Sequence, residues 1–207
     1  MVVMDFAVFA LALGILLSRN LRHSLILLSL EGALLGAMSW YSAPSAKWSI
    51  LIAIATVVVK AGLIPIAMLR VMNLWPSEAR RDRQLPIWAY LAMLAGALGA
   101  VHIMDLLSSS RLISSVWTFF CAFWCIYLGM VMIVARRHLL SQIVALVSIE
   151  NGMVLLGVSL SGAFPILLEL GILADLTIAV SVLLWTSHHI HMKFETADLA
   201  ALQQLKG

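Results

Sequence analysis

Residues 49–70 read SILIAIATVVVKAGLIPIAMLR, an apolar run in which Lys60 is the one charge between Ser49 and Arg70. A hydrocarbon core of about 30 Å takes about 20 helical residues to cross, so the run is long enough to span a bilayer. Lys60 stands twelve residues after Trp48 and ten before Arg70, which at a helical rise of about 1.5 Å per residue puts its backbone near the bilayer centre. A lipid-embedded helix with an ammonium at its middle therefore sets the terms for the rest of the chain.

The whole sequence has the same character. Its 207 residues are 63% hydrophobic and 11% charged, against about a quarter charged in an ordinary soluble domain, and the mean hydropathy is +1.05. The expectation is an all-α polytopic membrane protein. Seven apolar stretches are long enough to cross: 2–17, 24–43, 48–69, 86–107, 112–134, 140–161 and 165–187. The first, the shortest, is read as a span and not as a secretory signal, because no Lys or Arg precedes Arg19. The stretch LWPSEARRDRQLP, 74–86, is the one substantial loop, and the tail after His188 is polar enough to leave the membrane.

Basic residues in alternate gaps fix an orientation. Arg19, Arg22, Arg70, Arg80, Arg81, Arg83, Arg136, Arg137, Lys193 and Lys206 fall on one side, and only Lys47 and Arg111 on the other. The positive-inside rule puts the first group in the cytoplasm, with the N-terminus periplasmic and the C-terminus cytoplasmic. The net charge of +3 is thus explained by topology, and no nucleic-acid partner is read from it. Cys121 and Cys125, in CAFWC, have neither a redox nor a zinc spacing and read as small buried hydrophobes.

Depth arithmetic finds three further ionisable groups level with Lys60: Glu31, nine residues past Arg22; Glu150, twelve past His138; and Asp175, ten past Pro165. Each costs about 2.5–3.5 kcal/mol at a helix centre on an insertion scale. Two accounts relieve that cost. In one the groups pair and hydrogen-bond as a static network; in the other they form a proton path, since a carboxylate beside an ammonium in low dielectric changes protonation as its neighbour changes. Both require mutual contact.

The chain also repeats itself. Setting Glu31 over Glu150 lays SLEG over SIEN and brings the basic turn SRNLRH near ARRHL. Each unit then reads as an apolar helix, a basic turn, a helix with a central Glu, a short turn and a helix with a central charge, Lys60 in the first unit and Asp175 in the second. The expected organisation is 1–72 as a first three-helix unit, 73–110 as a cytoplasmic loop and linking helix, 111–190 as a second unit and 191–207 as a cytoplasmic tail. The linking helix returns the chain across the membrane and makes the two repeats parallel.

A unit of this kind resembles the K-type subunit of respiratory complex I and the C-type subunit of multisubunit sodium/proton antiporters. The doubled form resembles the E-type membrane subunit family of hydrogenase-4, on the stretches RRHLLSQIVALVSIENG, VKAGLIPIAMLR, ILADLTIAV and the closing LKG. The resemblance implies a non-catalytic subunit in a bacterial cytoplasmic (inner) membrane, which helps conduct protons beside large antiporter-like subunits of a group 4 [NiFe] hydrogenase. It implies no cofactor in this chain, with the [NiFe] and iron-sulfur centres in partner subunits. Glu31 and Glu150 match the helix 2 glutamate of the K-type unit and Asp175 its helix 3 acid. Lys60 stands where that pattern has a carboxylate, so the first unit reads as a charge modulator and not as a mirror copy.

Other polar residues are candidates for the ends of such a path. His23 and His138 stand at the cytoplasmic mouths of the two Glu-bearing helices, as proton entries or as interfacial residues at headgroup level. His102, Asp105 and Glu169 are exit candidates, or polar helix ends that meet water. Asn151 is expected to steady the Glu150 carboxyl or bond a neighbouring helix. Gly32, Gly36, Gly152 and Gly157 either let helices approach closely or reflect the frequency of glycine in spans. No constellation for bond-making chemistry, haem or an iron-sulfur cluster is read from this sequence. A structural scaffold of the membrane arm and a subunit of a cation/proton antiporter are the alternatives.

Overall fold

The computed structural model describes residues 2–42, 47–73, 85–107 and 115–161, together with 177–178, 180–182, 185–186 and 189. Among these nearly every residue is helical and none belongs to a strand. The elements are α1 (Val2–Leu17), α2 (Leu21–Ser42), α3 (Lys47–Thr56), a π-helical segment (Val57–Leu63), α4 (Ile64–Asn73), α5 (Ile87–Leu107), α6 (Val116–Ala135) and α7 (Leu139–Ser161). The segment from α3 through α4 is one uninterrupted rod. Backbone groups in hydrocarbon find no water to bond, so a helix that satisfies its own N–H and C=O groups is the form these apolar runs take.

Among the described residues, four segments are long and apolar enough to cross a membrane: Leu21–Tyr41, Ala53–Asn73, Val116–Ala135 and Leu139–Leu160. Helix α1 and the apolar part of α5, Ile87–Ala100, are shorter. The first six expected spans thus fall on helices. The seventh, 165–187, lies largely outside the described residues, although Thr177, Ile178 and Val180–Val182 are helical. The loop 74–84 and the tail from 190 also lie outside them.

Burial is inverted relative to a water-soluble domain. Asp5, Glu31, Lys60, Arg136 and Glu150 are buried, whereas Leu94, Leu98, Val134 and Trp185 are at least 60% exposed. An apolar exterior, with the charged side chains turned into the bundle, is what lipid as solvent selects. The chain is a helical membrane protein.

Two capped turns set where helices begin. Asn20 Oδ1 accepts from the Arg22 backbone N–H at 3.0 Å, an N-cap that starts α2 at Leu21, three residues before the expected position. Ser115 Oγ likewise accepts from the Thr118 N–H at 3.3 Å and opens α6 at Val116. Connections of three residues, 18–20 and 136–138, join α1 to α2 and α6 to α7.

Helices α1 and α6 run parallel, as contacts at both ends require. Near their starts, Thr118 Oγ1 donates to Asp5 Oδ2 at 2.8 Å, and the rings of Phe6 and Trp117 lie 5.8 Å apart. At their finish, the Arg136 guanidinium donates to the carbonyls of Leu16 and Ser18, at 2.6 and 2.8 Å. Those carbonyls lie at the buried, negative end of α1, so Arg136 acts as a C-cap delivered from another helix. A residue whose charge reports orientation in the sequence also locks two helices together.

Around that pair, α2 packs on α1 and on the α3–π–α4 rod, α7 packs along α6 and meets α2, and α5 lies on α6. Tyr127 ties α5 in place by donating to the Ala92 carbonyl at 2.6 Å. A Cβ on Gly152 would meet the Ile126 backbone nitrogen at 2.9 Å, so α6 and α7 touch at a separation that only glycine permits. Cys121 and Cys125 are free and fully buried, as expected.

Replacing Arg136 with Ala strands two carbonyls at a buried helix end. We expect a loss of about 2–3 kcal/mol, the range for hydrogen bonds to a charged donor, read as a lowered Tm in detergent. Arg136→Lys should recover only part of it, because an ammonium lacks the planar fork.

Candidate functional site

Lys60 belongs to the π segment, and the local sequence explains why the helix widens there. Pro65 has no N–H to give the Ala61 carbonyl, and Gly62 weakens the same turn. The ladder shifts register: the Ile64 N–H bonds the Val59 carbonyl, a five-residue step. The freed Ala61 carbonyl accepts from Ser29 Oγ of α2 at 3.0 Å, which is how membrane helices tolerate proline. The wider turn presents Lys60 to the interior, where its side chain is fully buried.

Helix α2 comes unusually close at this level. A Cβ on Gly32 would stand 2.8 Å from Lys60 Cβ and 3.0 Å from its carbonyl carbon. Glycine at 32 therefore lets the Lys60 backbone rest on α2 while its side chain extends across to α7.

There the ammonium finds two oxygen acceptors on adjacent residues. Lys60 Nζ donates to Glu150 Oε1 at 2.5 Å and to Asn151 Oδ1 at 3.0 Å. One turn before, Ser148 Oγ donates to Glu31 Oε1 at 3.3 Å. Glu31 and Asn151 are 0% exposed, Lys60 and Ser148 1% and Glu150 4%, so the group is sealed inside the bundle. The Asn151 amide also lies beside the Glu31 carboxyl, yet Glu31 Oε2 and Asn151 Nδ2 are buried without a hydrogen-bond partner.

Three of the four mid-depth ionisable groups expected from sequence are therefore brought together, from three different helices, and Asn151 joins them. It accepts from Lys60 on a neighbouring helix, where the expectation was either support of the Glu150 carboxyl or a bond to a neighbouring helix. The fourth, Asp175, lies outside the described residues, as does Glu169. His138 is buried at the start of α7, where its carbonyl accepts from the Gln142 N–H. His23 is exposed and lines an open groove of about 500 Å³ with Gly14, Ser18 and Leu27. On α5, His102 is exposed, and Asp105 belongs to the same helix.

Sequence reading missed Asp5. It is fully buried in the first turn of α1 and held by Thr118. Four residues from the start of the chain, it counts as a helix end in any depth arithmetic. The sequence signal was an acid within the apolar run VVMDFAVF.

Two carboxylates and one ammonium in so dry a space do not balance, and an unpaired third charge is expensive there. The arrangement costs least with one proton bound among the carboxyls, and Lys60 then neutralises the other. Chemically the site is a proton-holding triad with room for one exchangeable charge. Among the described residues no group of His, Cys, Asp and Glu side chains is placed to bind a metal ion. No family model matches the chain, nor does any curated protein or solved structure.

Removing one member of a buried ion pair leaves the other uncompensated, at a cost of about 3–5 kcal/mol. Lys60→Met should therefore destabilise the fold by that amount, and Lys60→Met with Glu150→Leu should recover most of it. Unfolding of the two variants in mild detergent, compared through a double-mutant cycle, measures the difference.

Proposed function

We propose that the chain is a non-catalytic membrane-arm subunit of a complex-I-like group 4 [NiFe] hydrogenase, where it helps carry protons along a row of buried charged side chains. The observation that supports this most is the Glu31–Lys60–Glu150 triad, with Ser148 and Asn151 bonded into it, at the centre of the membrane. A proton moving from Glu31 to Glu150 leaves the first carboxyl charged and the second neutral, and Lys60 follows the negative charge. That coupled exchange moves charge without exposing it to hydrocarbon.

The remaining parts follow from the same reading. The protein lies in a bacterial inner membrane with the turns 18–20 and 136–138 and the 74–84 loop in the cytoplasm. Its two three-helix repeats are parallel, a reading favoured by the common direction of α1 and α6 and by the like turns that follow them. Asp175 extends the row into the second unit. Large antiporter-like subunits continue it beyond the chain, and the [NiFe] and iron-sulfur centres sit in soluble partners. His23 and His138 serve the cytoplasmic side, and His102, Asp105 and Glu169 the opposite one.

A second reading, a structural scaffold of the arm, is favoured by how completely the triad is buried and paired. A buried pair that only holds helices together can be replaced by apolar packing; a proton carrier cannot. A cation/proton antiporter subunit would use the same residues with a different set of partners, and co-purification from native membranes distinguishes it.

In the assembled complex, Glu150→Gln is expected to lower proton pumping severalfold while hydrogen oxidation with an artificial acceptor stays at its original rate. An unchanged proton-to-electron ratio would count against the carrier reading. Loss of the complex on native gels would favour the scaffold.

A further inference from the structure

Asp5 takes no part in the triad, and its surroundings are unlike those of a helix-end acid that meets solvent. It has no exposed surface, and one carboxyl oxygen, Oδ1, is buried without a partner. The other accepts from Thr118 Oγ1 at 2.8 Å, and Thr118 in turn lies 2.9 Å from Ser115 Oγ. Ser115 is the half-buried cap of α6, and Thr118 sits in the first turn of that helix. The cluster therefore occupies the end of the bundle opposite the basic turns, and runs from a partly open hydroxyl to a closed carboxyl.

From that cluster the interior face of α6 leads to the triad. Thr118, Cys121 and Cys125 follow at helical spacing and all are buried, with α6 descending about 10 Å between the first and the last. Cys121 lies one turn past Thr118, the partner of Asp5, and Cys125 packs on α7 beside Asn151, its Cβ 3.0 Å from where a Cβ on Gly152 would stand. Opposite them α1 presents Val8 and Ala12 on the same face as Asp5. These side chains of α1 and α6 are small or weakly polar, whereas the buried Leu35 and Met38 of α2 and Trp124 of α6 fill the rest of that half of the interior.

We infer that Asp5, gripped by Thr118 and Ser115, is the outer proton-exchange site of this protein, passing protons between Glu31 and the aqueous phase at the end of the bundle away from the basic turns. The inference rests on the proton-carrier reading of the triad and adds to it an outlet perpendicular to the row. In the outward step Glu31 loses a proton and Asp5 gains it; Asp5 then releases it to water beside Ser115, and the triad, left with both carboxyls charged against Lys60, takes up the next proton from the inner side. The Thr118 hydroxyl donates to Asp5 when the carboxyl is charged and can turn to accept when it is neutral.

The test uses the full chain in sealed liposomes, its orientation scored by protease access to the tail. Infrared difference spectra follow the Glu31 carboxyl band, assigned by its loss in Glu31→Gln, after a pH step imposed on one side at a time. In the unaltered protein the band should respond to steps on either side. Asp5→Asn and Thr118→Val should each slow the response to the outer step by about tenfold, equivalent to about 1.4 kcal/mol of added barrier, and leave the response to the inner step unchanged. Thr118→Ser, which keeps the hydroxyl, should behave as the unaltered protein; loss of the outer response there too would mean that packing and not the hydroxyl matters, and would overturn the assignment. An outer response of full speed in Asp5→Asn, or none in the unaltered protein, overturns this outlet alone. A Glu31 band that answers to neither side overturns the carrier reading with it.

Discussion

An ammonium and a carboxylate meeting at the middle of a membrane, Lys60 with Glu150, are the contact on which the rest of the interior depends. Either charge alone would be driven toward water or neutralised. Held together they draw the α3–π–α4 rod, α2 and α7 to one point, because each of the three contributes a group to the same small volume. Lipid supplies no hydrophobic drive for helices to associate, so close packing and interhelical polar contacts carry that burden. The glycine contacts between α2 and the rod, and between α6 and α7, provide the first; the Lys60 triad and the Arg136 cap provide the second.

The π segment shows how local sequence serves this end. A regular helix from 47 to 73 would need an N–H at position 65, and proline withholds it. The register change that follows widens one turn at the residue that must reach furthest. Ser29 closes the hydrogen-bond deficit from α2, and Gly32, one turn on, removes the side chain that would hold the rod away. Three features that look unrelated in the sequence, a serine and a glycine on one span and a proline on another, thus converge on the placement of one lysine.

Much of this was legible beforehand, for a physical reason. Hydropathy and the helical rise are enough to give each charge a depth, and groups at one depth in a small bundle have few places to go except toward each other. That is why Glu31, Lys60 and Glu150 were readable as a set. Depth says nothing of azimuth, however, so it did not reveal that Lys60 pairs with Glu150 and Asn151 while Ser148 turns to Glu31. It also discounted Asp5, which stands near the chain start on a short helix, and it assigned Arg136 only an orienting role when that residue also satisfies the end of α1. Gly62 and Pro65 lie beside Lys60 in the same rod, and the π register is the form their loosened turn takes.

The two similar stretches SLEG and SIEN contribute to the site in different ways. Two glutamates at the centre with no cation beside them would have to stay neutral or share a proton. The stretches differ at the residue after the glutamate. Gly32 removes a side chain, so that α2 receives the backbone of Lys60; Asn151 adds one, so that α7 receives its ammonium. One copy has become the seat for the lysine and the other its acceptor. The consequence is an odd charge count, two acids to one base, and an odd count is what allows a single proton to be gained or lost while the cluster stays close to neutral. A balanced pair of one acid and one base could hold the helices together as well, but it would have no such intermediate state.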